Sequence, residues 1–339
     1  MPEPSPIRPK RRGRVLRFVS GLLILCAVGA YLVVQYVTGG GGAEGCKVVS
    51  GRSDDQSYQF TPEQAVNAAT IAAVGTGRGM PERAVAIALA TAIQESGLLN
   101  ITHGDRDSLG LFQQRSSQGW GTPKQILDPA YAAGMFYAHL AKVRDYETLP
   151  LTVAAQRVQR SGYPEAYAKH ETDATLLAAA LTGQSAATLT CDGRPAATTA
   201  ATAAATATAT ATGPDAVRTA LVRDFGRDAV EEAGAEVSES ATPTPTPTVT
   251  ATAHGRTVTV PVPEGKKTDK AGRTESERGW QLAHWAVANS SALHIERVSY
   301  AGREWTAGST DSRWQPVSGS QSTGGAEKSA GSVRIVTGQ

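Results

Sequence analysis

An uncharged apolar run spans residues 18–38, FVSGLLILCAVGAYLVVQYVT. At ~1.5 Å of helical rise per residue it matches a ~30 Å hydrocarbon core, which predicts a transmembrane helix. Residues 1–17 carry Arg8, Lys10, Arg11, Arg12, Arg14 and Arg17 against one acid, Glu3. That asymmetry predicts a cytoplasmic basic tail and an extracellular bulk. Tyr31 and Tyr36 fall in the outer half of the run, and Tyr36 suits an interfacial belt. A cleaved signal peptide is the competing reading. It calls for a shorter run ending in a small-x-small site, whereas this run reaches Thr38 and continues into glycines. The expectation is a retained single-pass anchor in the cell membrane, with residues 39–46 as a flexible linker.

From residue 61 the apolar positions recur with a helical period. Thr61-Pro62-Glu63-Gln64 supplies an N-cap, a proline for the first helical position and a capping-box glutamine. That helix carries Val66, Ala69, Ile71 and Ala72 and stops near Gly75–Gly79. A second begins at Pro81-Glu82 and carries Val85, Ile87, Ala88, Leu89, Ala92 and Ile93. Apolar positions nearly surround it, so it is expected to be central and buried, ending at Glu95-Ser96-Gly97. Asp128-Pro129 starts another helix through Tyr131, Met135, Phe136, Tyr137 and Leu140. Thr152 is read as the cap of one more, through Val153, Ala154, Val158 and Gln159, and Pro164 opens a last stretch through Tyr167 to Leu181. Strand patterns are scarce, so residues 47–191 read as an all-α domain of five or six helices.

Residues 192–255 break this pattern. Residues 195–213 are nearly all Ala and Thr, and residues 241–250 read ATPTPTPTVT. Such tracts lack the large apolar side chains that offset ordering entropy, and they predict a disordered low-complexity linker. A short helix within residues 214–237 is the exception, with Val217, Ala220, Leu221 and Phe225 on one face. Residues 256–339 read as a small α+β domain. Thr257–Val262 alternates like a strand, Gly279–Asn289 has helical spacing with Trp280, Ala283, Val287 and Ala288 on one side, and further strands follow at His294–Tyr300, Arg303–Trp305 and Ser332–Val336. The fold class read from the chain is therefore mainly α: one transmembrane helix, an all-α domain, a linker and a small α+β domain.

Charge adds little. The net charge is +2 and much of the positive charge sits at the N-terminus, so no nucleic-acid partner is expected. Of the three cysteines, Cys26 lies in the apolar run, while Cys46 and Cys191 bracket the helical region. In an oxidising compartment this placement predicts a disulfide joining the domain's ends, and closing so long a loop contributes ~4–5 kcal/mol. Two unrelated thiols are the alternative.

One carboxyl group stands out. Glu95 ends the buried helix, where apolar walls and the helix's negative end both disfavour the carboxylate. A protonated carboxyl is what cleavage of a glycosidic bond needs, because the leaving oxygen must receive a proton. Glu95-Ser96-Gly97-Leu98 is followed by the polar loop Asn100–Ser108 and then by Leu109-Gly110-Leu111-Phe112-Gln113-Gln114. This arrangement is similar to the soluble lytic transglycosylase and goose-type lysozyme signature: Glu-Ser, a loop, then Gly-Leu-Met-Gln. Phe112 stands where the family has Met. Residues 60–180 resemble the lysozyme-like domains of actinobacterial cell-wall proteins. The resemblance implies a two-lobed α fold with a groove for the peptidoglycan strand of alternating N-acetylglucosamine and N-acetylmuramic acid. It also implies Glu95 as general acid and then base, Ser96 as a residue orienting the substrate or Glu95, and Gln113 and Gln114 lining the groove. Trp120, Tyr163 and Tyr167 are candidates for stacking on sugar faces, with core packing as the alternative. No cofactor is expected, and the sequence names no protein partner.

The departures from the family matter. Its late Tyr-Asn pair is absent; the nearest stretch is Ala154-Ala155-Gln156, with Gln159 or Tyr163 as substitutes. Asp105 or Asp107 is either a second carboxylate that places a water, as an inverting hydrolase requires, or a turn residue. Hydrolysis and intramolecular transglycosylation both remain open. His103 with Asp105 and Asp107 has too few ligands for a convincing metal site. The stretch WQLAHWAVANSSALHIERVSYAGREW resembles a C-terminal domain distantly akin to zinc D-alanyl-D-alanine carboxypeptidases. The ligand pattern of those enzymes does not carry over to His254, His284 and His294, which makes the segment a non-catalytic wall-binding or packing module. Two readings stand: a peptidoglycan-cleaving glycosidase, or a silent glycan-binding scaffold of the cell-wall machinery.

Overall fold

The Thr61 capping box closes in both directions: Gln64 N–H donates to Thr61 Oγ1 at 3.3 Å and Thr61 N–H to Gln64 Oε1 at 2.7 Å. It starts α1 (Pro62–Gly77). The computed structural model describes residues 45–52, 54–193, 213–227, 255–262, 269, 272–308, 313–317 and 331–338. Helix α2 (Glu82–Ser96) is buried without interruption from Ala84 to Ala92 and ends on Gly97 at φ 64°. The left-handed backbone there favours glycine. Four more helices surround α2 or follow from it: α3 (Pro123–Ile126), α4 (Pro129–Leu140), α5 (Leu151–Gln159) and α6 (Glu171–Leu181). Asp128 caps α4 by accepting from Ala130 N and Tyr131 N. Thr152 is not a cap; it lies inside α5 and its hydroxyl donates to Pro164 O.

The all-α reading of residues 47–191 is corrected by strands. Strands β1 (Cys46–Val49), β2 (Ser57–Phe60) and β5 (Leu189–Cys191) form a three-stranded sheet in the order β2-β1-β5. Strands β3 (Ser108–Leu109) and β4 (Gln114–Arg115) form a two-stranded ladder. Each strand is too short to show a period of its own, and β5 pairs with a segment 145 residues away. Cys46 and Cys191 face each other in that pairing and are disulfide-bonded.

The C-terminal segment is built on an antiparallel five-stranded sheet, order β6-β10-β7-β8-β9: β6 (Thr257–Pro261), β7 (Ile295–Tyr300), β8 (Arg303–Thr306), β9 (Gln315–Pro316) and β10 (Ser332–Thr337). A mainly α class therefore does not describe the chain, which is mixed. Helix α8 (Glu275–Ala288) packs on this sheet, and also touches α1, α6 and β5. Glu44–Gln339 form one compact unit. The linker stretch contributes helix α7 (Pro214–Phe225); its Ala/Thr and Pro/Thr tracts lie outside the described residues.

The single-pass membrane reading is also corrected. Among the described residues no helix is long and apolar enough to cross a membrane. Residues 18–38, on which that reading rested, lie outside the described residues. The transmembrane anchor, the cytoplasmic tail and the extracellular bulk are not carried further.

Polar side chains from three segments fix the shared core. Trp305 Nε1 donates to Cys191 O (3.1 Å) and Trp314 Nε1 to Leu189 O (3.0 Å), so two indoles of the C-terminal segment hold β5. Buried Asp224 of α7 accepts from Trp285 Nε1 at 2.8 Å and Thr70 Oγ1 at 3.2 Å. His284 is fully buried and bridges Ala180 O, 2.7 Å from Nδ1, and Thr188 N–H, 3.3 Å from Nε2. A carbonyl only accepts, so Nδ1 carries the proton and Nε2 is the acceptor. Burial pushes this imidazole down to about 4. The unfolded chain therefore binds the extra proton between the ordinary histidine range and that value, and stability falls as pH falls through this window. Acidification from about pH 7 to about pH 4 is expected to cost on the order of 3 kcal/mol through this group. Urea titrations of wild type and His284→Gln across that range check it; parallel pH profiles for the two proteins would exclude His284 as the cause.

Candidate functional site

Glu95 sits on the last turn of α2, half-buried. Its Oε1 accepts a hydrogen bond from the Tyr167 hydroxyl at 2.7 Å. Tyr167 is wholly buried, and burial, reinforced by the Glu95 charge, pushes its phenol well above the ordinary tyrosine range. It therefore stays protonated and donates. The bond fixes the carboxyl group's orientation.

Ser96 ties this helix end to the turn after the polar loop. Its hydroxyl lies 3.0 Å from Ala92 O and 2.8 Å from Leu111 O. The turn itself, Gly110–Gln113, joins β3 to β4. Gly110 takes φ 73°, and a Cβ there would fall 2.7 Å from Ile126 O, so only glycine fits. Phe112 is buried and stacks on Phe136 of α4 at 4.8 Å between ring centroids. Gln159 Nε2 donates to Phe112 O at 2.8 Å, which pins the turn from the α5 side. Gln113, at φ 47°, is half-buried and donates from Nε2 to Gly110 O at 3.3 Å.

The remaining expected residues separate. Gln114 is only 2% exposed and donates to Ala132 O, so it braces β4 on α4 and does not line an open surface. Trp120 is 8% exposed, with its ring 4.2 Å from that of His139. It is a packing residue here. Tyr163 is 79% exposed and is available to a ligand. Tyr167 does not offer a stacking face; its hydroxyl works on Glu95. Asp107 is engaged by Arg115 Nε at 2.7 Å, by Ser117 N–H at 2.9 Å and by the Ser117 hydroxyl, and these donors hold it well below the usual carboxylate range. It is a loop brace. Among the described residues no group of three or more His, Cys, Asp or Glu is placed to hold a metal ion.

Two features escaped the sequence. Ser161 exchanges two hydrogen bonds with Gln156, at 2.8 and 3.1 Å, and lies within reach of the Tyr167 phenol. This clamp fixes the loop that delivers Tyr167 to Glu95. His170 Nε2 lies 3.1 Å from Gln94 Oε1, bracing the same helix end from the residue that precedes α6. Neither pair has a spacing that singles it out, because both join elements brought together only by packing.

The family described as VldE, C-terminal domain, matches residues 215–326, about a third of the chain. That segment is similar to this family. The match begins in α7 and covers α8 and strands β6 to β9, so it excludes Glu95 and its surroundings. No curated protein matches the chain.

Proposed function

We propose that the chain cleaves the β-1,4 link between N-acetylmuramic acid and N-acetylglucosamine, with Glu95 as general acid and then base. The 2.7 Å bond from Tyr167 to Glu95 carries this reading, since it orients a half-buried carboxyl beside the Ser96-linked turn. Glu95 gives its proton to the leaving glycosidic oxygen as the C1–O bond breaks. The muramic acid 6-hydroxyl then attacks C1 and returns a proton to Glu95, leaving an anhydro sugar. Of the two carboxylates that could place a water, Asp107 is taken up by Arg115 and Ser117 and Asp105 is 91% exposed beside Arg106, which supports intramolecular transglycosylation over hydrolysis.

Digestion of purified peptidoglycan by the full chain, followed by mass spectrometry, is expected to yield anhydro-muramic ends. Reducing ends would replace transglycosylation with hydrolysis. Intact glycan would favour the silent scaffold, which the missing Tyr-Asn pair supports. Tyr167→Phe removes the donor but keeps the ring, so it should lower kcat about tenfold with KM changed less than about twofold. A fall confined to KM would place Tyr167 in substrate binding instead.

A further inference from the structure

Helix α5 carries one polar stripe. Thr152, Gln156 and Gln159 stand at i, i+4 and i+7 and so share a face, while Leu151, Ala154, Ala155 and Val158 belong to the apolar core. Each side chain of the stripe bonds a segment outside the helix. Thr152 Oγ1 donates to Pro164 O at 2.6 Å. Gln156 Nε2 donates to Ser161 O at 2.8 Å, and its Oε1 accepts from the Ser161 hydroxyl at 3.1 Å. Gln159 Nε2 donates to Phe112 O at 2.8 Å. Two of the three therefore hold the loop that leads to Tyr167, and the third holds the Gly110–Gln113 turn.

Both destinations converge on one helix end. Tyr167 closes the loop with its 2.7 Å bond to Glu95 Oε1. The turn reaches the neighbouring residue, because the Ser96 hydroxyl lies 2.8 Å from Leu111 O. The consecutive carbonyls of Leu111 and Phe112 are thus gripped by the last residues of two helices, Ser96 of α2 and Gln159 of α5. Gln113 follows at φ 47°, a left-handed backbone that persists in a residue with a side chain only where its surroundings fix it. Packing alone would be met as well by leucine at 156 or 159, which fills similar space and requires no polar partner.

We propose that Gln156 and Gln159 are positioning residues with separate tasks. Gln156, through Ser161, sets the Tyr167 hydroxyl on the acid. Gln159, through Phe112 O, sets the turn that carries Gln113 against the glycan. The inference rests on the glycosidic reading and assigns each glutamine to one kinetic constant. Orientation of the acid counts as its proton leaves, so its loss appears in kcat. Contacts of the turn with the sugar are made before and during the reaction alike, so their loss appears in KM.

The test uses the full chain on soluble, uncrosslinked glycan strands, with kcat and KM measured separately. Gln156→Leu should lower kcat about tenfold and change KM less than about twofold. Ser161→Ala should repeat that effect from the loop side even if Gln156→Leu does not fold, and Ser161→Thr, which keeps the hydroxyl, should recover most of it. Gln159→Leu and Gln159→Glu both lack the donor, and each should raise KM about tenfold with kcat changed less than about twofold. In a Tyr167→Phe background Gln156→Leu should cost less than about twofold in kcat, because the donor it positions is already gone. A tenfold loss in both backgrounds would make Gln156 a core residue only and overturn its task. The same constant moving in the Gln156 and Gln159 variants overturns the division. Arg157, exposed on the same helix, is the control: a comparable loss in Arg157→Gln would trace the effects to α5 as a whole and overturn the assignment. No cleavage by wild type overturns the glycosidic reading, and the assignment with it. Cleavage by wild type with both constants unmoved in the Gln variants overturns the assignment alone.

Discussion

Glu95→Gln is expected to lower peptidoglycan cleavage by about three orders of magnitude, the range general acid–base catalysis supplies. The substitution keeps the shape and the acceptor for Tyr167, whose hydroxyl can donate to the amide oxygen as it does to Oε1 at 2.7 Å. It removes only the exchangeable proton. Stability should therefore stay within about 1 kcal/mol of wild type, so the loss is one of chemistry and not of folding. Release of soluble muropeptides, measured beside a thermal unfolding curve, separates the two. Equal rates for wild type and variant would reject Glu95 as the acid.

Asp224→Ala should be among the most damaging single changes to stability. Its Oδ2 receives the Trp285 indole N–H and the Thr70 hydroxyl, and its side chain is wholly buried. Arg223 donates to the same carboxylate from a half-exposed position. Truncation leaves a buried indole N–H and a buried hydroxyl without their acceptor, at about 1–3 kcal/mol each. The expected loss is about 3 kcal/mol, against under about 1 kcal/mol for Arg223→Ala, whose guanidinium reaches water. Because α7 links α1 to α8 through this carboxylate, urea unfolding should remain one cooperative transition that shifts as a whole. Two separable transitions, with only one displaced, would show that the helical and C-terminal segments fold independently.

The three residues that meet there are far apart in the chain. Thr70 is a small polar residue in an apolar helix, Asp224 lies after an Ala/Thr tract, and Trp285 reads as one aromatic of a short amphipathic stretch. Nothing local links them, yet they share a single carboxylate oxygen.

Local chemistry determined what lies within a turn or two of the chain. Thr61, Pro62 and Gln64 start α1, Asp128 caps α4, Gly97 stops α2, and a run from Ala84 to Ala92 that is apolar but for Thr91 makes α2 central. Those residues also place Glu95 at a helix end, since helix length and the glycine stop follow from neighbours alone. Only tertiary structure decided that Tyr167, read as a sugar platform, donates to Glu95, that Trp120 packs on His139, and that Asp107 is bound by Arg115. Only pairing made strands of Cys46–Val49, which lies between Ser57–Phe60 and, across 145 residues, Leu189–Cys191, because four or three residues carry too little periodicity to declare a strand until a partner satisfies their backbone groups.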